Sequence, residues 1–263
     1  MRLLLTLLAC ALAALGQAGA GKQLTGPPKP PPAKADTRPA PRWPDGRVNL
    51  GSTEEHKGYW EVRPGGGSRF PRAADIPMLP WARALATYRS SAAALYPPLV
   101  NCKPGSGPSF FNSPGFEIVD VPELKRVFLL NIAGAHSWRV IYTDGRQHPT
   151  KDKLRPTYLG HSIGHWEGDT LVVDTTAFVN DHHWIDNGVP ASDALHIVER
   201  IKLINNGATL EIAYTATDPK MWQGEWSWTK RWRRVDDQEI TEASCLPNLN
   251  EHLPSTGGSI NVR

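Results

Sequence analysis

The chain has 263 residues, of which 40% are hydrophobic and 21% are charged, a composition typical of one globular domain with appendages and not of a fibre or a disordered polymer. Its formal net charge of +3 is too small to indicate a nucleic-acid binder. The 24 Pro, 23 Gly and 10 Trp favour many turns and short strands over a helical bundle.

The N-terminus has the features of an export signal. Arg2 precedes an apolar run over residues 3–15, and an Ala-Gly-Ala cleavage pattern follows at residues 18–20. Residues 1–20 are therefore predicted to be a signal peptide cleaved after Ala20, which predicts a periplasmic or secreted protein. The run is shorter than the roughly 20 residues that a membrane helix needs, and no later segment approaches that length, so we expect no membrane span.

The next segment is rich in Pro, Lys and Ala. Residues 21–47 cannot bury enough apolar surface to order themselves, and we expect a disordered tether there. The remaining residues, 48–263, are predicted to form a single β-barrel domain.

One helix is expected near the start of this domain, over residues 76–95, because Trp81, Leu85, Tyr88 and Leu95 recur at nearly helical spacing. A short strand is expected before it at residues 58–60. Beyond residue 116, short runs of β-branched and aromatic residues predict further strands. Their positions are near residues 117–121, 126–132, 136–143, 158–167, 170–178, 194–204, 209–217, 225–235 and 239–245.

Three turn dipeptides lie between these strands. Asp-Gly at residues 144–145, Gly-Asp at 168–169 and Asn-Gly at 206–207 each suit a two-residue hairpin loop. Sequential antiparallel strands with little intervening helix predict a meander that closes into a lipocalin-like barrel. The predicted fold class is therefore mainly β, with one N-terminal helix.

The hairpin register around residues 206–207 places Glu199 opposite Tyr214 on an apolar stripe. A carboxylate there would be desolvated unless a cation such as an arginine reaches it, so Glu199 is either a core ion-pair partner or a catalytic group. On the preceding strand, His136, Trp138 and Tyr142 share one face and Arg139 lies on the other. We expect His136 and Glu199 to point into the same barrel interior.

The hairpin around residues 168–169 also separates two faces. Ser162 and Thr175 lie on the predicted core face, and His161 and Asp174 lie on the opposite face. Asp174 is diagonal to His161, so this second face either holds a His–Asp pair or is a solvated exterior.

Several familiar motifs fail on their context. Residues 160–164 match the G-x-S-x-G elbow of serine hydrolases, but a hairpin follows where the elbow needs a helix. His161 and His165 lie about 13 Å apart on a strand and cannot easily share a metal ion. The pair at residues 182–183 has no diagnostic ligand spacing. We therefore predict no metal, no cofactor and no nucleic-acid partner.

Removal of the leader takes away Cys10 and leaves Cys102 and Cys245. An exported protein with an even number of cysteines is expected to contain a disulfide, and neither cysteine has an adjacent histidine that would favour a reactive thiol.

Residues 158–178, together with residues 144–149 and 195–200, resemble a large group of secreted bacterial proteins of undefined function. The shared motif is G-x-S-x-G-x-W-E-G-D-T-L-V-V-D-T. The resemblance extends over most of the chain from about residue 76 and includes both cysteines. It implies that His148 and Glu199 belong to the family pattern, and it implies no particular activity.

The sequence favours a cofactor-free acid–base enzyme of the lyase or isomerase type that acts on a small aromatic compound. His136 would transfer protons, while Glu199 and Tyr214 would orient or polarise the substrate. The residues expected to contact the substrate are Trp138, Arg139, Tyr142, Tyr158, His161 and Asp174. The alternatives are a lipocalin-like small-molecule carrier without catalysis and a structural protein held near the cell wall by the tether. The oligomeric state is not predicted.

Overall fold

The computed structural model describes residues 38–62, 70–71, 73–91, 103–104, 107, 115–131, 137–180, 185, 188–236 and 240. They lie within one unit that spans residues 35–263. The signal peptide, residues 21–37 of the tether, His136, Cys102, Cys245 and most of the predicted strand at residues 239–245 lie outside the described residues. No helix in the described ranges is long and apolar enough to cross a membrane.

The described residues form one α-helix and nine strands that close into a barrel in chain order. The mainly β fold with a closed barrel and one helix is therefore confirmed. The elements are β1 (Tyr59–Val62), α1 (Pro80–Ser91), β2 (Gly115–Val121), β3 (Arg126–Asn131), β4 (Trp138–Tyr142), β5 (His161–Glu167), β6 (Thr170–Thr176), β7 (His196–Ile204), β8 (Thr209–Thr217) and β9 (Glu225–Val235).

The barrel closes between its first and last strands, where β1 and β9 pair in antiparallel fashion. Strand directions cannot alternate all the way around a ring of nine, so one neighbouring pair must be parallel. That pair is β4 and β5, which align through Ile141↔Ser162 and Tyr142↔Ile163. The expected all-antiparallel meander is therefore wrong at this position.

The parallel pair changes the role of the turn at residues 144–145. An antiparallel hairpin was expected there, but residues 143–160 instead form a crossover that carries the chain back to the start of β5. The crossover runs over the outside of the barrel, because His148 contacts His161 and Asp174 on the outward faces of β5 and β6.

The other two hairpins have the predicted registers. Glu167 pairs with Thr170 across the first turn, and Glu199 pairs with Tyr214 in the second hairpin. The inward faces of these strands are buried and largely apolar, as Leu171 illustrates at 0% exposure, and their buried polar residues are Ser162, Thr175 and Glu199. Each large apolar side chain buried in this way stabilises the fold by about 1.5–3 kcal/mol.

Helix α1 begins at Pro80, a residue suited to the first turn because it has no N–H to leave unpaired. Ala82 and Ala86 form its buried face. The predicted apolar face is wrong, because Trp81 and Tyr88 are 51% and 55% exposed. Small residues let the helix backbone lie close to its neighbours, and the large rings point to solvent.

The last part of the predicted tether contacts the barrel. Arg42 forms a two-point ion pair with Asp169 in the β5–β6 turn, and Arg47 binds the largely buried carboxylate of Asp120 at 2.8 Å. The tether boundary expected at residue 47 is therefore too late, because residues 38–47 lie against the strands.

Candidate functional site

A cleft of about 490 Å³ opens in the barrel wall beside the parallel strands β4 and β5. These strands align over two residue pairs, so three of the five residues of β4 have no strand partner on that side within the described part of the chain. We call this opening the seam cleft. Residues 137–140 and Tyr142 line one side, and Pro104, Arg155 and residues 157–162 complete the lining.

Strand β4 has the opposite facing from the one expected. Arg139 and Ile141 point into the barrel and are 2% and 0% exposed, whereas Trp138 on the other face is 65% exposed. The prediction that the face of Trp138 and Tyr142 is the interior is therefore wrong. Burial of an arginine requires a partner, and the partner comes from a distant strand.

That partner is Glu199. The Arg139 guanidinium binds both carboxylate oxygens of Glu199, and it also donates to Ser162 Oγ at 3.0 Å and to Thr175 Oγ1 at 2.8 Å. Two-point contacts of this kind are among the stronger charge-assisted interactions. Of the two alternatives for Glu199, the structure shows the core ion pair.

The predicted catalytic set is only partly brought together. Glu199 is 1% exposed, and Tyr214 lies opposite it and stacks on Trp228 with ring centroids 4.8 Å apart. Neither residue lines the seam cleft. His136, the third member, lies outside the described residues.

The predicted substrate-contact set is brought together much better. The seam cleft is lined by Trp138, Arg139, Tyr142, Tyr158 and His161. The sixth residue, Asp174, does not line the cleft; it lies on the neighbouring strand and is connected to His161 through His148. These are positions in the structure, and their role in binding stays a prediction.

The cleft is aromatic and cationic. The Tyr142 and His161 rings stack with their centroids 5.5 Å apart. The guanidinium of Arg146 lies 4.0 Å from the centre of the Tyr142 ring. Arg155 is exposed, and it forms no ion pair with any residue that the structure describes. No carboxylate is among the described lining residues.

A chain of histidines and one carboxylate leads away from the cleft along the outward faces of β5, β6 and β7. His161 Nδ1 lies 2.8 Å from His148 Nδ1, His148 Nε2 lies 2.8 Å from Asp174 Oδ1, and His196 Nε2 lies 2.8 Å from Asp174 Oδ2. We call these four residues the His–Asp chain. The predicted outer face is an exterior, and Asp174 pairs there with His148 and His196 and not with the diagonal His161.

The members of this chain have shifted pKa values. The hydrogen bond from His196, followed by the one from His148, holds the pKa of Asp174 below its usual value, and the same contact with Asp174 raises the pKa of His196. Burial, followed by the charges of His148 and Arg146, lowers the pKa of His161. At neutral pH, Asp174 is therefore ionised and His161 is uncharged.

Sequence reasoning missed His148, His196, Arg146 and Arg155 as site residues. The crossover brings three of them to the seam, and a hairpin at residues 144–145 would have led them elsewhere. The signal that could have placed them is the strand number, because a closed ring with an odd number of strands contains a parallel pair and a parallel pair needs a crossover. No three His, Cys, Asp or Glu side chains in the described part of the chain are arranged to hold a metal ion.

Comparison with known proteins adds no relative: no protein-family model, curated protein or solved structure matches the chain. Its own residues therefore carry the functional argument. They provide a cleft of ligand size, rings for stacking, an arginine without an ion-pair partner among the described residues and a histidine whose pKa is lowered by burial.

Proposed function

We propose that the protein binds a small aromatic molecule with an anionic group in the seam cleft. The observation that carries this proposal is the combination of Arg155, which has no ion-pair partner among the described residues, with three aromatic side chains, Trp138, Tyr142 and Tyr158, in one opening without a described carboxylate. A β-barrel of this kind is compatible with a small-molecule carrier.

The size of the cleft fits such a ligand. Sites for small organic molecules occupy about 300–1,000 Å³ and combine apolar walls with a few polar groups, and the seam cleft has about 490 Å³. A lipocalin-like carrier would hold its ligand inside the barrel. Here the inward positions of β6, β7 and β8 are filled by packed side chains such as Val173, Ile201 and Ile212.

The charges favour an anion. Arg139 is neutralised by Glu199, whereas Arg155 has no acidic partner within the described ranges. A carboxylate or phenolate on the ligand would pair with the Arg155 guanidinium through a charge-assisted hydrogen bond. The exposed Trp138 ring at the cleft provides a face for an aromatic group.

Calorimetric titration with naphthoate tests the proposal. We expect saturable binding that weakens for uncharged naphthamide and for the saturated decalin carboxylate. Arg155→Gln should weaken binding about tenfold, since a charge-assisted contact is worth about 1.4 kcal/mol or more and that energy corresponds to a factor of ten. Trp138→Leu should weaken it through loss of the ring.

Two matched controls separate the cleft from the rest of the surface. Arg200→Gln removes an exposed arginine that pairs with Glu167 away from the cleft, and Trp81→Leu removes an exposed tryptophan on α1. Both should bind naphthoate like the parent protein. No binding by the parent, or equal loss in the controls and the cleft variants, would contradict the proposal.

The proposal includes an extracytoplasmic location, a Cys102–Cys245 disulfide and membership of the secreted family. It is supported by the leader at residues 1–20, the even pair of cysteines that remains after cleavage and the motif at residues 158–178. Mass determination of the mature protein with and without reductant tests the cleavage site and the bridge together.

A further inference from the structure

The His–Asp chain ends at the seam cleft with His161, and one ring nitrogen of His161 has no partner among the described residues. His161 lines the cleft, and its Nδ1 is used by His148. Its other ring nitrogen, Nε2, makes no hydrogen bond with any described residue. A half-buried imidazole beside a ligand-sized cleft, with one nitrogen that no described residue binds, is placed for proton transfer.

One arrangement of protons along the hydrogen-bond chain gives His161 a basic nitrogen at the cleft. The ionised carboxylate of Asp174 can only accept, so His148 Nε2–H donates to it. When His148 has a single ring proton, on Nε2, its Nδ1 is an acceptor and receives the Nδ1–H of His161. His161 then has an unprotonated Nε2, which is the basic nitrogen of a neutral imidazole.

We propose that His161 is a general base that removes a proton from the ligand in the seam cleft, with His148 and Asp174 as positioning residues. This inference rests on the proposed function, since it takes the same ligand. In the step, the ligand's C–H bond breaks and its proton moves to His161 Nε2. The electron pair forms a new double bond as a leaving group on the neighbouring atom departs, and the imidazolium then returns the proton to water.

The His–Asp chain stabilises the positive charge that this step creates on His161. When His161 accepts a proton at Nε2, its Nδ1–H hydrogen bond to His148 strengthens, and His148 is held in turn by the Asp174 carboxylate. A carboxylate behind an imidazole fixes its tautomer and stabilises its charged form. The titratable groups beside His161 are His148 and Arg146 on the crossover and Tyr142 on β4, and Arg155 lines the same cleft.

The same contacts also fasten the crossover to the barrel, and the two roles give different observables. A purely structural role requires the hydrogen bonds. It does not require that the proton of His161 lie on Nδ1 or that the His161 ring be uncharged at neutral pH. Nitrogen-15 NMR of the histidine rings reports both. We expect His161 at pH 7 to be neutral with its proton on Nδ1, and His148 to carry its proton on Nε2. A charged His161, or a proton on its Nε2, would overturn the inference.

Activity is tested with a nitro-substituted benzisoxazole. Loss of its ring C–H proton to a base opens the N–O bond and gives a coloured cyanophenolate, an aromatic anion of the class proposed for the cleft. We expect turnover that rises with pH through a midpoint below the usual histidine value of about 6.5. His161→Gln should lower turnover at least tenfold while naphthoate binding is retained.

His165→Gln is the matched control, because His165 lies on the same strand and outward face, where it pairs with Glu167. It should leave turnover unchanged.

Asp174→Asn should reduce turnover and move the pH midpoint downward, since loss of the negative charge disfavours the imidazolium. Turnover that is unaffected by His161→Gln overturns this inference and leaves the proposed function intact. Absence of naphthoate binding to the parent protein contradicts both.

Discussion

At the scale of single residues, Arg139 connects the barrel interior to the seam cleft. Its guanidinium is satisfied by Glu199, Ser162 and Thr175 inside the barrel, while the residue also lines the cleft. Removing two charges from water is costly, and two-point geometry with extra hydrogen bonds offsets that cost. Glu199 is therefore needed to keep Arg139 buried, and we expect substitution of Glu199 to lower the free energy of unfolding.

Glu199→Gln should lower the free energy of unfolding by about 3–5 kcal/mol, because it leaves the buried Arg139 charge uncompensated. The double variant Arg139→Met with Glu199→Leu should recover most of that loss, since it removes both charges and fills similar volume. Urea unfolding measures both effects. If the single variant unfolds within about 1 kcal/mol of the parent, the buried pair does not have the structural role assigned to it.

Some of the site could be predicted from residues and some could not. The outward placement of His161 and Asp174 followed from one turn dipeptide, which fixes which strand positions share a face. The facing of β4 could not be read in this way. Its aromatic residues Trp138 and Tyr142 make the wrong face look apolar, and the correct face depends on a partner, Glu199, that is 60 residues away.

At the scale of elements, the same kind of turn signal had two outcomes. Gly-Asp at residues 168–169 closes a hairpin with the predicted register. Asp-Gly at residues 144–145 bends the chain into the crossover instead. A dipeptide specifies a local change of direction, whereas the pairing partner of the next strand is set by closure of the whole ring. Local signals therefore predicted the strands better than their connection.

Gly160 is where the crossover turns into β5. Its φ of +71° favours glycine, and a Cβ there would lie 2.6 Å from the carbonyl oxygen of Thr176 on β6. We expect Gly160→Ala to destabilise the fold by about 1–3 kcal/mol and to disturb the adjoining cleft.

Gly145→Ala is the matched control for this prediction, because Gly145 also has a positive φ, +80°, but has open space around its Cβ position. It should cost only the backbone strain, and the difference between the two variants measures the steric contact with β6. Thermal unfolding and naphthoate titration check both effects. Equal destabilisation by the two substitutions would show that β5 does not approach β6 as closely as described.

At the scale of the whole molecule, the site follows from the way the barrel closes. Nine strands in a ring require one parallel pair, and a parallel pair requires a crossover. The short β4–β5 alignment leaves an opening, and the crossover brings His148 and Arg155 to it. A mainly β barrel could be predicted from the sequence. The seam could not, because turn dipeptides report local changes of direction and not which neighbouring strands of an odd-numbered ring run parallel.

We propose that the ligand binds at the seam and not inside the barrel. Photolabelling with a benzophenone carboxylate, followed by peptide mass spectrometry, tests the location directly. The seam cleft predicts adducts within residues 137–142 and 155–162 that excess naphthoate suppresses. Naphthoate-sensitive adducts confined to peptides of β7, β8 and β9, around Glu199 and Tyr214, would contradict the claim and place the ligand in the barrel interior.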